Sequence, residues 1–440
     1  MPGGGRSRAE RARVLDRRER SAEPGADAAW LAGTGRGRRR ARPEPEFLLT
    51  RKEMLTHPGR KWTKKSKSVK IGAVDTRNVS PFPRRNTRQI RIGHVLIGGG
   101  APVSVQSMTK TDTRDIRATV AQIKRLEKAG CEIVRLAVPD REAAAALGEI
   151  RRKVRVPLVA DIHFDHRLAL ASIEAGVDAL RINPGNIGSP KKVGEVVRAA
   201  REHGIPIRIG VNSGSLEKDL LAKNGAVTAD AMAASALRHI RMLEDLDFFD
   251  IKVSLKASDI PRTLEAYRLL APKVDYPFHA GITEAGGLFS GSIKSAAGLA
   301  LLLNEGLADT VRISLTAPPE KEVAVAWRLL RSLGLRSRGV DIISCPTCGR
   351  VEVDLMRIAS EVEKRLSSLA TPMTVAVMGC MVNGPGEAKE ADIGVACGKR
   401  SGVIIKKGRV LRKVKEDRII PDLVREVERA GREKTERTKR

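Results

Sequence analysis

The sequence contains little cysteine and no long apolar segment, and both shortages exclude classes of protein. Five cysteines in 440 residues are too few for a disulfide scaffold. In such a chain a Cys-x-x-Cys pair is more typical of metal or redox chemistry in a reducing compartment, so we expect a cytoplasmic protein. No uninterrupted apolar run reaches the ~18 residues that a membrane-spanning helix requires, and the sequence therefore predicts no membrane span.

The chain is also poor in aromatic residues, at 3% of the sequence, although its net charge is +29. Residues 1–89 hold 24 basic against 9 acidic side chains and residues 399–440 hold 16 against 7, so the region between them is nearly balanced. Few aromatic side chains leave no obvious platform for stacking bases. We predict that residues 1–85 form a disordered basic extension and residues 435–440 a basic tail; RNA binding by these ends is the alternative.

From residue 102 onward, short β-rich runs alternate with Ala- and Leu-rich helical stretches, and the unit repeats eight times. The predicted strands are residues 102–108, 132–138, 157–164, 179–183, 206–212, 251–257, 277–283 and 310–315. Strict alternation of strand and helix indicates a parallel sheet, and eight units in this length are typical of a (β/α)8 barrel of the TIM type. A doubly wound open sheet is the alternative.

After Gly334 the alternation ends. The segments DIISCPTCGR, MTVAVMGC, ADIGVACGK and GVIIKKGRVLRKV each indicate one strand, with helices predicted at residues 353–369 and 421–430. This order is typical of a smaller α+β domain. We therefore assign residues 86–336 to the substrate-binding barrel and residues 337–434 to the α+β domain.

Five barrel strands carry a single cation between apolar neighbours, although such strands are normally apolar on both faces. The cations are Arg135, Arg181, Arg208, Lys252 and Arg312, and Lys256 ends one of the strands. A buried unpaired cation is costly, and the acids available nearby in the sequence are Asp161 and Glu284. An internal network of arginines and carboxylates is one explanation. The excess of cations favours the other, an anionic ligand such as phosphate at the carboxyl ends of the strands.

Three cysteines occur in two short motifs, CPTCGR (residues 345–350) and GCMVNGPGEA (residues 379–388). If they share one metal centre, a fourth ligand is needed. From residue type alone Cys397 is the obvious candidate, because thiolates dominate iron–sulfur ligation. Zinc and a redox dithiol remain open, since Cys-x-x-Cys occurs in all three kinds of site.

A resemblance to a known family supplies the fourth ligand. The runs SMTKTDTRD, VADIHF, LRINPGNIG, IRIGVNSGSLEKDL, KASD and GITEAGG, followed by CPTCGR and GCMVNGPGEA, resemble the 4-hydroxy-3-methylbut-2-enyl diphosphate synthase family over residues 85–425. The resemblance implies one 4Fe-4S cluster held by Cys345, Cys348, Cys380 and Glu387. Cys131 and Cys397 are then small buried strand residues.

The same resemblance implies the chemistry of the barrel. The substrate would be 2-C-methyl-D-erythritol 2,4-cyclodiphosphate, reduced to 4-hydroxy-3-methylbut-2-enyl diphosphate with electrons from flavodoxin or ferredoxin. The implied substrate contacts are Arg135, Arg181, Arg208, Asn212, Lys256, Thr283, Arg312 and Ser314. Glu284 would be the catalytic acid and Asp161 a supporting carboxylate, while Lys252 would only pair structurally. Family members are homodimers in which the cluster domain of one chain covers the barrel of the other.

The alternative function, from another class of protein, is that of a phosphate- or RNA-binding barrel protein with a structural zinc, in which the basic chain ends bind the ligand. It uses the same cations and cysteines but predicts neither iron nor turnover of a cyclic diphosphate. Metal analysis therefore separates the two readings.

Overall fold

The computed structural model describes residues 81–439. The chain enters the fold through a hairpin of two strands, β1 (Ile90–Ile92) and β2 (Val95–Ile97). Ile90, Ile92 and Ile97 pack against residues at the beginnings of barrel strands, such as Ile133 and Ala179. The hairpin therefore covers the amino-terminal end of the barrel.

The barrel consists of eight parallel strands. They are β3 (Ser104–Met108), β4 (Ile133–Ala137), β5 (Leu158–Asp161), β6 (Ala179–Ile182), β7 (Ile207–Asn212), β8 (Ile251–Lys256), β9 (His279–Ala280) and β10 (Thr310–Val311). The strands follow the order β8-β7-β6-β5-β4-β3-β10-β9, and a parallel bridge from Val253 to Phe278 joins the two edges. The predicted (β/α)8 barrel is thereby confirmed.

Helices lie between the strands and cover the outside of the sheet. They are α1 (Ile116–Ala129), α2 (Arg141–Lys153), α3 (His166–Glu174), α4 (Pro184–Ile187), α5 (Pro190–Glu202), α6 (Lys218–Asn224), α7 (Ala229–Glu244), α8 (Ile260–Leu270), α9 (Leu288–Asn304) and α10 (Pro319–Ser332). Several begin after an Asp or Thr whose side chain accepts a backbone N–H, as Asp115 does for α1 and Asp140 for α2. These caps satisfy N–H groups that would otherwise lack partners.

The carboxyl-terminal domain is a five-stranded mixed sheet packed against helices. Its strands are β11 (Val340–Ser344), β12 (Met373–Met378), β13 (Ile393–Gly398), β14 (Ser401–Lys406) and β15 (Arg409–Lys415), in that order across the sheet. Its helices are α11 (Leu355–Leu366), α12 (Gly384–Lys389) and α13 (Ile419–Lys439). The first three strands are parallel and the last two antiparallel. The predicted smaller α+β domain is therefore confirmed.

One strand of this domain was predicted wrongly. GVIIKKGRVLRKV is a hairpin rather than a single strand, because the chain turns at Lys407 and Gly408, with φ of 49° and 76°. Two consecutive residues with positive φ form the tight turn that suits the twist of antiparallel strands.

The two domains meet at the amino-terminal end of the barrel. Arg338, at the beginning of the carboxyl-terminal domain, donates to the carbonyl oxygen of Lys128, in the last turn of α1, at 3.3 Å. Arg331, near the end of α10, binds Asp341 at 3.0 Å. These contacts lie at the end opposite the carboxyl ends of the strands.

In the part of the chain that the structure describes, no helix has the length and apolarity needed to cross a membrane.

Candidate functional site

The cations predicted from the strand sequences are brought together inside the barrel. Arg181 on β6 is the register neighbour of Arg208 on β7, which in turn neighbours Lys252 on β8. Arg135 on β4, Lys252 and Lys256 are buried as well. Parallel strands side by side therefore produce a concentrated positive charge in a region with little water.

Asp161, at the end of β5, is the carboxylate within this cluster. Its oxygens lie 3.1 Å from Arg181 Nη1 and 3.5 Å from Arg135 Nε, and His163 Nε2 lies 3.7 Å away. Burial is the largest influence on its pKa and acts to raise it, but Arg135, His163 and Arg181 together outweigh burial and hold the pKa well below its ordinary value. Asp161 is therefore ionised and offsets part of the charge of two arginines.

Arg208 and Lys252 have no carboxylate partner among the described residues. Arg208 Nη1 donates weakly to Ser254 Oγ at 3.5 Å, while its Nε and Nη2 and the Nζ of Lys252 have no hydrogen-bond partner in residues 81–439. Burial, with the neighbouring cations Arg135 and Arg181 adding for Arg208, lowers the pKa of both groups well below their ordinary values. Lys252 thus does not pair structurally, contrary to our expectation. Of the six cations, the ion pairs within residues 81–439 account only for Arg135 and Arg181.

Lys256 ends β8 beside His279 on β9. Lys256 Nζ and His279 Nε2 are 3.2 Å apart, and both side chains are buried. Two glycines lie close to this cluster. A Cβ at Gly281 would lie 2.5 Å from the backbone carbonyl oxygen of Arg312, so this position requires glycine, and a Cβ at Gly210 would lie 2.4 Å from Arg181 Nε and would displace that side chain.

The remaining predicted contacts follow the ends of the strands. Asn212 ends β7, Thr283 and Glu284 lie in the loop after β9, and Arg312 and Ser314 follow β10. Glu284 is exposed, with φ of 52°. A non-glycine residue with positive φ is uncommon and is often found at functional sites. Glu284 is thus held at the mouth of the barrel rather than inside it.

Sequence reasoning missed one buried acid near this mouth. Glu322, in the first turn of α10, accepts from Ser107 Oγ at 3.0 Å and from the Leu315 N–H at 3.0 Å, and binds Lys110 Nζ at 3.1 Å. It also opposes, by attraction, the lowering of the Arg312 pKa that burial causes. Glu322 escaped notice because acids in the first turn of a helix are common for reasons of helix stability.

The three cysteines of the two motifs follow neighbouring strands of the carboxyl-terminal sheet. Cys345 comes directly after β11 and Cys380 two residues after β12, and these strands are parallel, so both lie at the same edge. Cys348 is exposed, and Thr347 between the first two cysteines has φ of 64°. Glu387 is on α12, which follows the third cysteine.

Backbone N–H groups donate to two of these sulfur atoms. The Gly379 N–H donates to Cys345 Sγ at 3.4 Å, and hydrogen bonds from the N–H groups of Asn383, Val382 and Gly384 lower the pKa of Cys380. A thiolate is the form that binds metal.

The two other cysteines have the opposite environment. Cys397 lies within β13, and Cys131 precedes β4 by two residues. Both are buried, and burial raises the pKa of each thiol to about 12. Both cysteines therefore pack as small apolar side chains in the hydrophobic cores.

Within residues 81–439, no group of three or more His, Cys, Asp or Glu side chains is close enough together to hold a metal ion. The chemistry of the donors nevertheless fits an iron–sulfur cluster. Three thiols lie near the carboxyl ends of adjacent strands, N–H groups stabilise the negative form of one of them, and a carboxylate is on the following helix.

Two family models match most of the chain. The GcpE TIM-barrel domain matches residues 87–327 and the GcpE protein C-terminal domain matches residues 341–429. Three bacterial proteins named 4-hydroxy-3-methylbut-2-en-1-yl diphosphate synthase (flavodoxin) are similar to it over nearly their whole length. The protein of Caldanaerobacter subterraneus subsp. tengcongensis is 57% identical over 350 residues, covering 80% of this chain and 99% of the relative. The protein of Geobacter sulfurreducens is 58% identical, with 80% and 99% covered, and that of Bacillus cereus is 57% identical, with 78% and 93% covered.

Proposed function

The chain belongs to the GcpE family of 4-hydroxy-3-methylbut-2-en-1-yl diphosphate synthases, and we propose from this how its two domains divide the reaction. The enzyme is an oxidoreductase of isoprenoid biosynthesis that converts 2-C-methyl-D-erythritol 2,4-cyclodiphosphate to 4-hydroxy-3-methylbut-2-enyl diphosphate. The observation that carries this conclusion is the identity of more than half of all aligned positions across both domains.

In our proposal the barrel binds the diphosphate. Arg208 has two side-chain nitrogens and Arg312 has one without a hydrogen-bond partner in residues 81–439, and a Cβ at Gly281 would lie only 3.3 Å from Lys256 Nζ. A cyclic diphosphate brings phosphate oxygens that accept from these donors, and charge-assisted hydrogen bonds of this kind are short and strong in a dry site. The other proposed contacts are Arg135, Arg181, Asn212, Thr283 and Ser314.

The carboxyl-terminal domain would hold one 4Fe-4S cluster through Cys345, Cys348, Cys380 and Glu387. When bound, such a cluster supplies the two electrons of the reduction, received from the electron donor. The carboxylate is a harder ligand than a thiolate and binds iron less firmly, so Glu387 is the ligand suited to leave one iron accessible.

Two carboxylates have separate roles in this proposal. The ring C–O bond to the diphosphate breaks and the diphosphate keeps its oxygen, and a substrate hydroxyl takes a proton and leaves as water. The two electrons form the carbon–carbon double bond between the two carbons that lost oxygen. Glu284 is the proposed proton donor, because its exposure at the mouth lets it exchange protons with solvent. Asp161 is ionised between two arginines and cannot donate a proton near neutral pH, so we assign it the positioning of Arg135 and Arg181.

The names of the relatives specify flavodoxin, and we propose flavodoxin rather than ferredoxin as the electron donor of this chain. We also propose a homodimer in a cytoplasmic location. The dimer has support in the domain contacts, since Arg331 of the barrel binds Asp341 of the carboxyl-terminal domain at the amino-terminal end of the barrel, whereas substrate binds at the other end. A second copy of the chain would bring its cysteines to that mouth and exclude water from it.

The experiment is anaerobic purification followed by iron and sulfide analysis and an assay of cyclic diphosphate turnover with reduced flavodoxin. We expect about four iron atoms per chain, as for a single cluster of this type. Zinc without iron would instead favour the phosphate-binding protein with a structural zinc, and no turnover by iron-loaded protein would overturn the proposed reaction.

Mixing two inactive variants tests the dimer. Arg208→Ala disables the barrel and Cys380→Ala disables the cluster domain. If each site uses domains from two chains, co-expression of the two variants restores part of the activity, because a mixed dimer contains one intact combination. Activity that stays absent in an isolated mixed dimer would show that each chain serves its own barrel.

A further inference from the structure

Lys256 is a buried lysine that contacts a histidine, His279, rather than a carboxylate. Lys256 Nζ lies 3.2 Å from His279 Nε2, and the two side chains are 5% and 0% exposed. Burial, followed by Arg312, lowers the pKa of Lys256 well below 10.5 in the ligand-free protein, and an anionic ligand favours the charged form. As an ammonium Lys256 can only donate, so the imidazole then accepts at Nε2 and carries its hydrogen on Nδ1. That nitrogen has no hydrogen-bond partner in the described part of the chain.

The surroundings keep this imidazole neutral. Arg208 on β7, Lys252 and Lys256 on β8, and Arg135 on β4 surround it, and burial followed by these charges lowers the pKa of His279 well below 6.5. A neutral imidazole has a lone pair available for Lys256 near neutral pH.

The backbone of His279 is also fixed. The Tyr267 hydroxyl donates to the His279 carbonyl oxygen at 2.7 Å and accepts from the Leu255 N–H at 3.0 Å. The Tyr267 ring also packs on Phe278, with ring centroids 5.1 Å apart. The acceptor for Lys256 is therefore held on a rigid strand.

We infer that His279 is a positioning residue that orients the Lys256 ammonium toward the substrate diphosphate without cancelling its charge. The inference rests on the proposed function, which assigns Lys256 to the diphosphate. The same barrel shows the contrasting arrangement, in which Asp161 orients Arg135 and Arg181 but offsets their charge. A neutral acceptor leaves the full attraction of Lys256 for an anion.

Three substitutions separate orientation from charge. His279→Gln supplies an amide oxygen that can accept a hydrogen bond from Lys256. His279→Glu supplies a carboxylate on a side chain of nearly the same shape as glutamine, and His279→Leu supplies no acceptor. Each holoprotein, purified anaerobically and left unreduced so that nothing turns over, is titrated calorimetrically with 2-C-methyl-D-erythritol 2,4-cyclodiphosphate. Melting temperatures are measured alongside.

We expect His279→Gln to bind within about threefold of wild type, and His279→Leu and His279→Glu to bind at least about tenfold more weakly, as befits loss or offset of one charge-assisted contact. Equal affinities of the Gln and Glu variants would overturn the inference. This comparison survives if the Leu variant does not fold, because Gln and Glu differ by one terminal group.

Arg208→Ala separates this inference from the function on which it rests. If wild type binds the cyclic diphosphate and Arg208→Ala binds it weakly, the proposed site stands and the His279 variants decide the inference. Absence of binding by wild type, or unchanged binding by Arg208→Ala, overturns the site assignment and the inference with it.

Discussion

Replacing Lys252 with Met tests whether the cations of the barrel destabilise the ligand-free fold. Lys252 is 2% exposed, and its Nζ has no hydrogen-bond partner in residues 81–439. Its side chain borders a small void whose other walls are mainly apolar, including Ile90, Ile92 and Val159. Met is unbranched and of similar length, so it fits the same space without a charge. We therefore expect Lys252→Met to be more stable than wild type.

The size of the effect follows from the cost of buried charge. Replacing buried ionic groups with well-packed apolar side chains commonly stabilises a protein by about 1–4 kcal/mol. For a domain of about 250 residues, such as this barrel, each kcal/mol changes the melting temperature by about 2 °C. Thermal unfolding of the ligand-free proteins measures the difference. The control is Lys124→Met on the exposed face of α1, for which we expect a change within about 0.5 kcal/mol.

The pH dependence gives a second readout with a definite sign. The pKa of Lys252 in the folded protein lies well below 10.5, its ordinary value, because of burial and then Arg208. Folding is therefore penalised when the unfolded chain is protonated, which is the case below pH 10.5, and the penalty disappears as the pH rises through that value. The advantage of Lys252→Met should shrink from pH 7 toward pH 10. A less stable variant, or an advantage independent of pH, would refute the reasoning.

Three further predictions concern the proposed site and the chain ends. Arg208→Ala should weaken binding of the cyclic diphosphate by about 1.5–3 kcal/mol in calorimetry, with folding retained; unchanged affinity would mean that Arg208 does not contact substrate. Deletion of residues 1–80, which lie outside the described residues, should leave iron content and turnover within about twofold, because the family match begins at residue 87. Glu387→Ala should lose iron and turnover while Cys397→Ala keeps both, and Glu387→Cys should hold iron firmly with poor activity; the reverse pattern would make Cys397 the fourth ligand.

The alternation of strands and helices made the barrel predictable from sequence, since this pattern has few compact solutions. Bounds were less predictable where packing ends a strand. The seventh and eighth strands were predicted at seven and six residues but are His279–Ala280 and Thr310–Val311. Their polar continuations, which contain Thr283 and Ser314, leave the ladder and form the mouth. The predicted disorder remains a prediction for residues 1–80, which lie outside the described residues. Arg84, inside the predicted extension of residues 1–85, instead binds Asp309 of the barrel at 2.7 Å.

Other features depend on contacts that a linear pattern does not contain. The hairpin β1–β2 is too short to show a period, and it is stabilised by covering Ile133 and Ala179 rather than by its own strands. Helix α12 was missed because Gly384 and Pro385 resemble a loop, although proline suits the first turn of a helix. The cations were readable singly, but only the sheet register shows which of them are neighbours.

The charge distribution links the stability of the barrel to its ligand. Asp161 offsets two arginines, while Arg208 and Lys252 lack carboxylate partners among the described residues and Lys256 has a neutral one. In the ligand-free barrel the buried cations repel one another. An anion that binds there reduces this repulsion and also accepts hydrogen bonds from the unpaired donors. Binding should therefore stabilise the fold beyond what its contacts alone provide. The excess of buried cations also disfavours neutral ligands, because a neutral ligand would leave buried donors unpaired. The unpaired cations that destabilise the ligand-free barrel should therefore also favour binding of a diphosphate.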